Sequence, residues 1–181
     1  MVKRTTRKRG SRKKKARGTY GLSTLLSKIT KKVAKEILGG TLLAIDPSCG
    51  SASSQPGYAI YREGVLTESG ILEIESISRD VGYRLRDLRS MLSDLSEENH
   101  IDVLVVEHIP ARRYGGGGAA GHASLLNAEG VCLASVDAPR ILRVRPQTWH
   151  SMKPEGWEKT DTWDAIAIGH CVIKIAREKL A

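Results

Sequence analysis

Thr41-Leu42-Leu43-Ala44-Ile45-Asp46 is an apolar run closed by an acid, and its reading decides the fold. Short, continuous apolar runs fill strands buried on both faces, as at the centre of an α/β sheet. Val103-Leu104-Val105-Val106-Glu107 repeats the pattern, again with an acid at its end. A carboxylate there is held rigidly at the rim of the sheet. Tyr58-Ala59-Ile60-Tyr61 and Gly70-Ile71-Leu72-Glu73-Ile74 read as further strands of a meander, and Arg140 to Val144 as a short strand. Val81, Leu85, Leu88, Leu92 and Leu95 recur at helical spacing and predict a helix ending before Asn99. His122 to Val136, rich in Leu and Ala, and Asp161 to Lys179 read as two more helices. Residues 39–181 are therefore expected to form one α/β domain without internal repeats.

Two further acids open the last helix. Asp161 and Asp164 are three residues apart, so they share a face of its first turn, where unpaired N–H groups favour negative charge. With Asp46 and Glu107 they make four carboxylates expected at one end of the sheet, where open α/β sheets place their sites. Oxygen-only donors suit hard cations. Two Mg²⁺ ions about 4 Å apart can activate a water and stabilise the leaving oxygen of a phosphodiester, with Asp46 as the bridging ligand. Each acid also has a simpler reading. Glu107 could cap a helix or pair with Arg112, Asp161 could be an N-cap, and Asp46 before Pro47 could be a turn residue. His108, His150 and His170 are candidate bases or ligands, with a structural role favoured, and strand alternation points His108 away from Glu107. Trp149, Trp157 and Trp163 are expected to pack the closing helix.

The net charge of +9 is unevenly spread. Residues 1–38 hold 14 Lys and Arg against the single acid Glu36, and the remainder carries −4. Lys3 to Arg17, which includes Lys13, Lys14 and Lys15, has ten basic residues and no acid, so it cannot build a core. Beyond it, Leu22, Leu25, Leu26, Ile29, Val33 and Ile37 predict an amphipathic helix that Ser23 can cap and Gly39-Gly40 ends. Phosphate binding is the favoured reading of this N-terminal arm. A nuclear or organellar address and a solubilising tail are the alternatives. A second basic element is the loop Pro110 to Gly121, where Arg112-Arg113-Tyr114 precede Gly115 to Gly118. An aromatic on a basic, glycine-rich loop is suited to wedge between bases.

Several classes are excluded. No apolar run approaches the roughly 20 residues that span a bilayer, and no signal peptide opens the sequence, so no membrane partner is expected. Cys49, Cys132 and Cys171 are odd in number and lack ligand spacing, which suggests free thiols in a reducing compartment. A cytoplasmic protein is expected, with nuclear or organellar targeting by the basic arm as the alternative. Phenylalanine is absent, so the core must be largely aliphatic.

Leu43-Ala-Ile-Asp-Pro-Ser48 with Pro56-Gly-Tyr-Ala-Ile60, Val105-Val-Glu-His108 and Asp161-Thr-Trp-Asp-Ala-Ile-Ala-Ile-Gly-His170 resemble the RuvC-type Holliday junction resolvases. The resemblance runs over roughly residues 41 to 178. It implies an RNase H-like mixed five-stranded sheet flanked by helices, a homodimer, two Mg²⁺ or Mn²⁺ ions per site and four-way DNA junctions as substrate. It assigns catalysis and metal binding to Asp46, Glu107, Asp161 and Asp164. It likens Ala123 to Val131 to a dimer-forming helix and the Tyr114 loop to one that probes the junction centre. The loop after Asp46 is longer than the family pattern, and Arg145 to Asp161 is too short for the usual DNA-contacting helix. Lys153 and Lys159 are the candidates for the active-site lysine. The basic arm also departs from the bacterial pattern, as in a divergent or viral member.

Two other classes compete. A non-catalytic nucleic-acid-binding protein on the same fold has no reason to gather mutually repelling acids. A nucleotide-binding ATPase-like relative should carry a second Asp-Gly phosphate loop, which this sequence lacks. Among nucleases, an enzyme for flaps or R-loops would share every acid.

Overall fold

The structure, a computed structural model, describes residues 29–48, 55–74, 80–110 and 119–181. Strand β1 (Thr41–Asp46) lies at the centre of a five-stranded sheet. It pairs antiparallel with β2 (Gly57–Arg62) and parallel with β4 (Val103–Glu107). β3 (Val65–Ile71) and β5 (Arg140–Val144) form the edges, giving the order β3-β2-β1-β4-β5. Glu63 and Gly64, at φ 51° and 72°, join β2 to β3 in a two-residue turn of the primed type.

Among the described residues, four longer helices and one short one cover the sheet. α1 (Lys31–Gly39) and α5 (Asp161–Leu180) lie on one face; α2 (Val81–Asn99) and α3 (Ala119–Ser135) lie on the other. The short α4 (Pro146–His150) follows β5, with proline at its first turn, where a missing N–H costs nothing. The core is largely aliphatic on both faces, with Tyr61 and Trp149 buried on the α5 face. α5 crosses the sheet closely: a Cβ on Gly169 would overlap the Tyr61 ring, whose hydroxyl donates to the Ile166 carbonyl at 2.7 Å.

Three sequence expectations need correction. The third strand is Val65–Ile71, not Gly70 to Ile74. β3 is exposed along most of its length and carries no apolar alternation to read, while Leu72 and Ile74 are buried beyond the strand's end. The helix expected from Leu22 through Ile37 is broken at Thr30, which is extended and whose hydroxyl accepts the Val33 N–H at 3.3 Å to cap a helix starting at Lys31. Ser23 and Leu22 to Leu26 lie outside the described residues. Finally, Ile29, Val33, Ala34 and Ile37 are buried with α5, so the packed domain includes residues 29–38, which the sequence assigns to the arm.

Candidate active site

Strand parity sets two of the acids. Along β1, Leu42 and Ala44 face α5 while Leu43 and Ile45 face α2, so Asp46 turns towards α5. Along β4, Val103 and Val105 face α5 while Leu104 and Val106 do not, so Glu107 turns the same way. The parallel register pairs Ile45 with Val106, which brings these acids side by side.

The other two arrive on α5. Thr160 caps that helix by accepting Trp163 N–H at 3.3 Å, so Asp161 is not the cap that its position allows. Its carboxylate instead accepts Gln55 N–H at 3.3 Å. Gly57, opposite Asp46 in the ladder, lets β2 pass against the Asp161 backbone; a Cβ there would overlap the Asp161 carbonyl.

The four carboxylates act on one another. Asp46 is 7% exposed, and burial holds its pKa well above the ordinary carboxylate range, with Glu107, Asp164 and Asp161 adding to the rise. Burial pushes Glu107 up to about 7, opposed by a hydrogen bond from Trp149 and assisted by Asp164 and Glu129. Asp164 is also raised by burial, against the pull of Trp157, Lys153 and His150. Gathering half-buried carboxylates around a buried one is unfavourable without a compensating cation. The donor set fits a hard divalent metal, which takes oxygen ligands. Among the described residues, no group of three or more His, Cys, Asp and Glu side chains stands ready to hold an ion.

Two indoles hold acids of this group. Trp149 Nε1 donates to Glu107 Oε1 at 2.9 Å, and Trp157 Nε1 donates to Asp164 Oδ1 at 3.1 Å. Sequence reading expects packing from these residues, and they do pack against the α5 face, but their N–H groups have no sequence signal. Lys153 Nζ lies 3.1 Å from the Trp157 ring centroid and 5.4 Å from that of Trp149. Of the two candidate lysines, Lys153 is therefore beside the acids, and Lys159 is exposed. His150 joins the group: its pKa is lowered by burial and by Lys153, while Asp164 opposes the change. Burial lowers the pKa of His170, assisted by Lys174 and Arg177 farther along α5.

Glu129 on α3 is a residue the sequence does not single out. It is 2% exposed and binds the chain just beyond Glu107. Its Oε2 accepts Ile109 N–H at 3.0 Å, and its Oε1 lies 3.1 Å from His108 Nδ1 and accepts Arg143 Nε at 2.6 Å. His108 thus faces α3, away from Glu107. A lone acid in a Leu- and Ala-rich helix was the available clue. Lys13, Lys14, Lys15, Arg112, Arg113 and Tyr114 lie outside the described residues.

No family model and no curated protein matches the sequence. Solved structures do match. Thermus thermophilus RuvC in complex with a Holliday junction substrate superposes with a TM-score of 0.60 at 12% identity, over 77% of this chain and 96% of that one. A second structure of Thermus thermophilus RuvC gives 0.55 at 14% identity, over 76% and 96%. The yeast mitochondrial Holliday junction resolvase gives 0.52 at 14% identity, over 88% and 96%. Sheet order, helix placement and these superpositions agree: the chain has the RNase H-like fold of the RuvC-type Holliday junction resolvases.

Proposed function

We propose that this protein is a metal-dependent endonuclease that cleaves four-way DNA junctions. The observation that carries the reading is the convergence of Asp46, Glu107, Asp161 and Asp164 at one end of a resolvase-type sheet. A fold alone does not give a function, but a cluster of half-buried acids around the buried Asp46 has a defined chemistry.

Mg²⁺ or Mn²⁺, two ions per site, would supply an activated water and charge stabilisation of the leaving oxygen. Asp46 is the most buried of the acids, and its mutual repulsion with the others favours uptake of cations. Glu107, Asp161 and Asp164 would complete the donor set from the neighbouring strand and α5. Lys153 places an ammonium beside Asp164, where it can meet a phosphate oxygen. Arg112, Arg113 and Tyr114, Lys159, and the arm with Lys13, Lys14 and Lys15 are the proposed remaining DNA contacts. They bind phosphates or bases without ligating metal.

Cutting two opposed strands calls for two sites related by a two-fold axis, hence a homodimer. On α3, Ala123, Asn127, Gly130 and Ala134 form an exposed face at helical spacing, while Ala128 and Cys132 face the core. That small-residue face can receive the same face of a second copy. Light scattering at micromolar protein should give a dimer, and Gly130→Arg should give a monomer.

The decisive experiment is a cleavage panel of four-way junctions, flaps, R-loops and duplex with Mg²⁺ or Mn²⁺. Paired incisions in the junction support the proposal. Preference for flaps or R-loops moves the enzyme to another branched substrate. Binding without incision of any of them marks a non-catalytic binder.

A further inference from the structure

Two site acids are each held by an indole N–H, from residues that flank one lysine. Trp149 and Trp157 reach Glu107 and Asp164 through one carboxylate oxygen apiece, at 2.9 and 3.1 Å. Trp149 is 2% exposed and lies in the core of the α5 face, so its ring cannot swing freely. Trp157 packs against the same cluster from the loop beyond α4. An indole is a donor only, so each ring fixes which carboxylate oxygen it occupies. The second oxygen of each acid is left for another partner. The Lys153 ammonium lies over both rings, attracted by their π-faces, while its charge also acts on Asp164.

We propose that Trp149 and Trp157 are positioning residues that orient Glu107 and Asp164 for divalent cation binding. This rests on the metal-dependent reading above. The indoles touch neither the cation nor the substrate; they act through the acids, as hydrogen-bond partners of metal ligands do. Because the donors are tryptophans, the site carries its own optical reporter. A cation engaging the free oxygens changes the electron density on the acids that the indole N–H groups contact.

The test uses the full chain and Mn²⁺ as the probe. Calorimetry gives the affinity, and quenching of tryptophan emission by this paramagnetic ion gives proximity. Wild type should bind saturably with quenching. Trp149→Phe and Trp157→Phe should each bind roughly ten- to a hundredfold more weakly. Trp163→Phe, which keeps both donors, should bind as wild type does. Should the Phe variants fail to fold, benzothienylalanine at position 149 or 157 replaces the N–H by sulfur and keeps the shape of the ring. Unchanged affinity in both substituted proteins overturns the positioning role while leaving the metal site standing. Failure of the wild type to bind Mn²⁺ overturns the metal-dependent reading itself.

Discussion

Gly57 and Asp161 meet backbone to backbone, at a place where a single methyl group would overlap the Asp161 carbonyl. Since Gly57 also pairs with Asp46, this contact sets how near α5's acids come to the central strand.

Gly57→Ala should therefore push α5 away from β2. Overpacking of this kind costs about 1–3 kcal/mol. Urea unfolding should show that loss, and Mn²⁺ affinity should fall with it. A variant as stable and as metal-competent as wild type would show that the close approach is not needed.

Replacing Asp46 or Asp164 by Asn should abolish cleavage and preserve junction binding, because it removes a donor and relieves repulsion against phosphate. Gel shift and incision assays on the same preparations separate the two effects. Full incision by either variant sinks the assignment.

Without metal, stability should fall as pH rises. Glu107 titrates at about 7 in the folded chain against an ordinary value of 4.5, so the folded state holds the extra proton between those limits. Stability from this group is present below 4.5 and is lost towards 7, by on the order of 3 kcal/mol. Asp46, also raised, adds in the same direction. Thermal melts from pH 5 to 8 should show the decline, and Mn²⁺ or Glu107→Gln should flatten it. A metal-free melting temperature that rises across this range would contradict the burial of these acids.

Deleting residues 1–27 should weaken binding to junction and duplex alike, because phosphate contacts carry no sequence information. The slope of log affinity against log salt should flatten by about 0.9 per lost contact. Deletion through residue 38 should instead unfold the domain, since it strips Ile29, Val33, Ala34 and Ile37 from the core, with Val and Ile worth about 1.5–3 kcal/mol each. If the shorter deletion leaves affinity and salt slope unchanged, the arm is an address or a partner-docking segment.

Glu129→Ala should leave the Ile109 N–H without its acceptor and cost about 1–3 kcal/mol. Mn²⁺ affinity should fall as well, since the chain beyond Glu107 loses its anchor on α3. Chemical denaturation and calorimetry on Glu129→Ala and the milder Glu129→Gln check both effects.

The sequence by itself determined β1 and β4, their terminal acids and the closing helix. Continuous apolar runs and helical periodicity are local patterns, so Leu42 to Asp46 and Val103 to Glu107 could be read without a partner. β3 was not legible, because an edge strand such as Val65–Ile71 buries little and shows no alternation. The start of the domain was also hidden: Ile29 and Val33 continue a basic segment, and only their packing on α5 separates core from arm. The same holds for the site. Its acids are visible as residue types at strand ends and a helix start. The donors that hold them are not, because Trp149 and Trp157 reach Glu107 and Asp164 across 42 and 7 residues of sequence, and Glu129 reaches Ile109 across 20. Those contacts depend on how α3, α4 and the loop before α5 dock on the sheet, which only the tertiary structure decides.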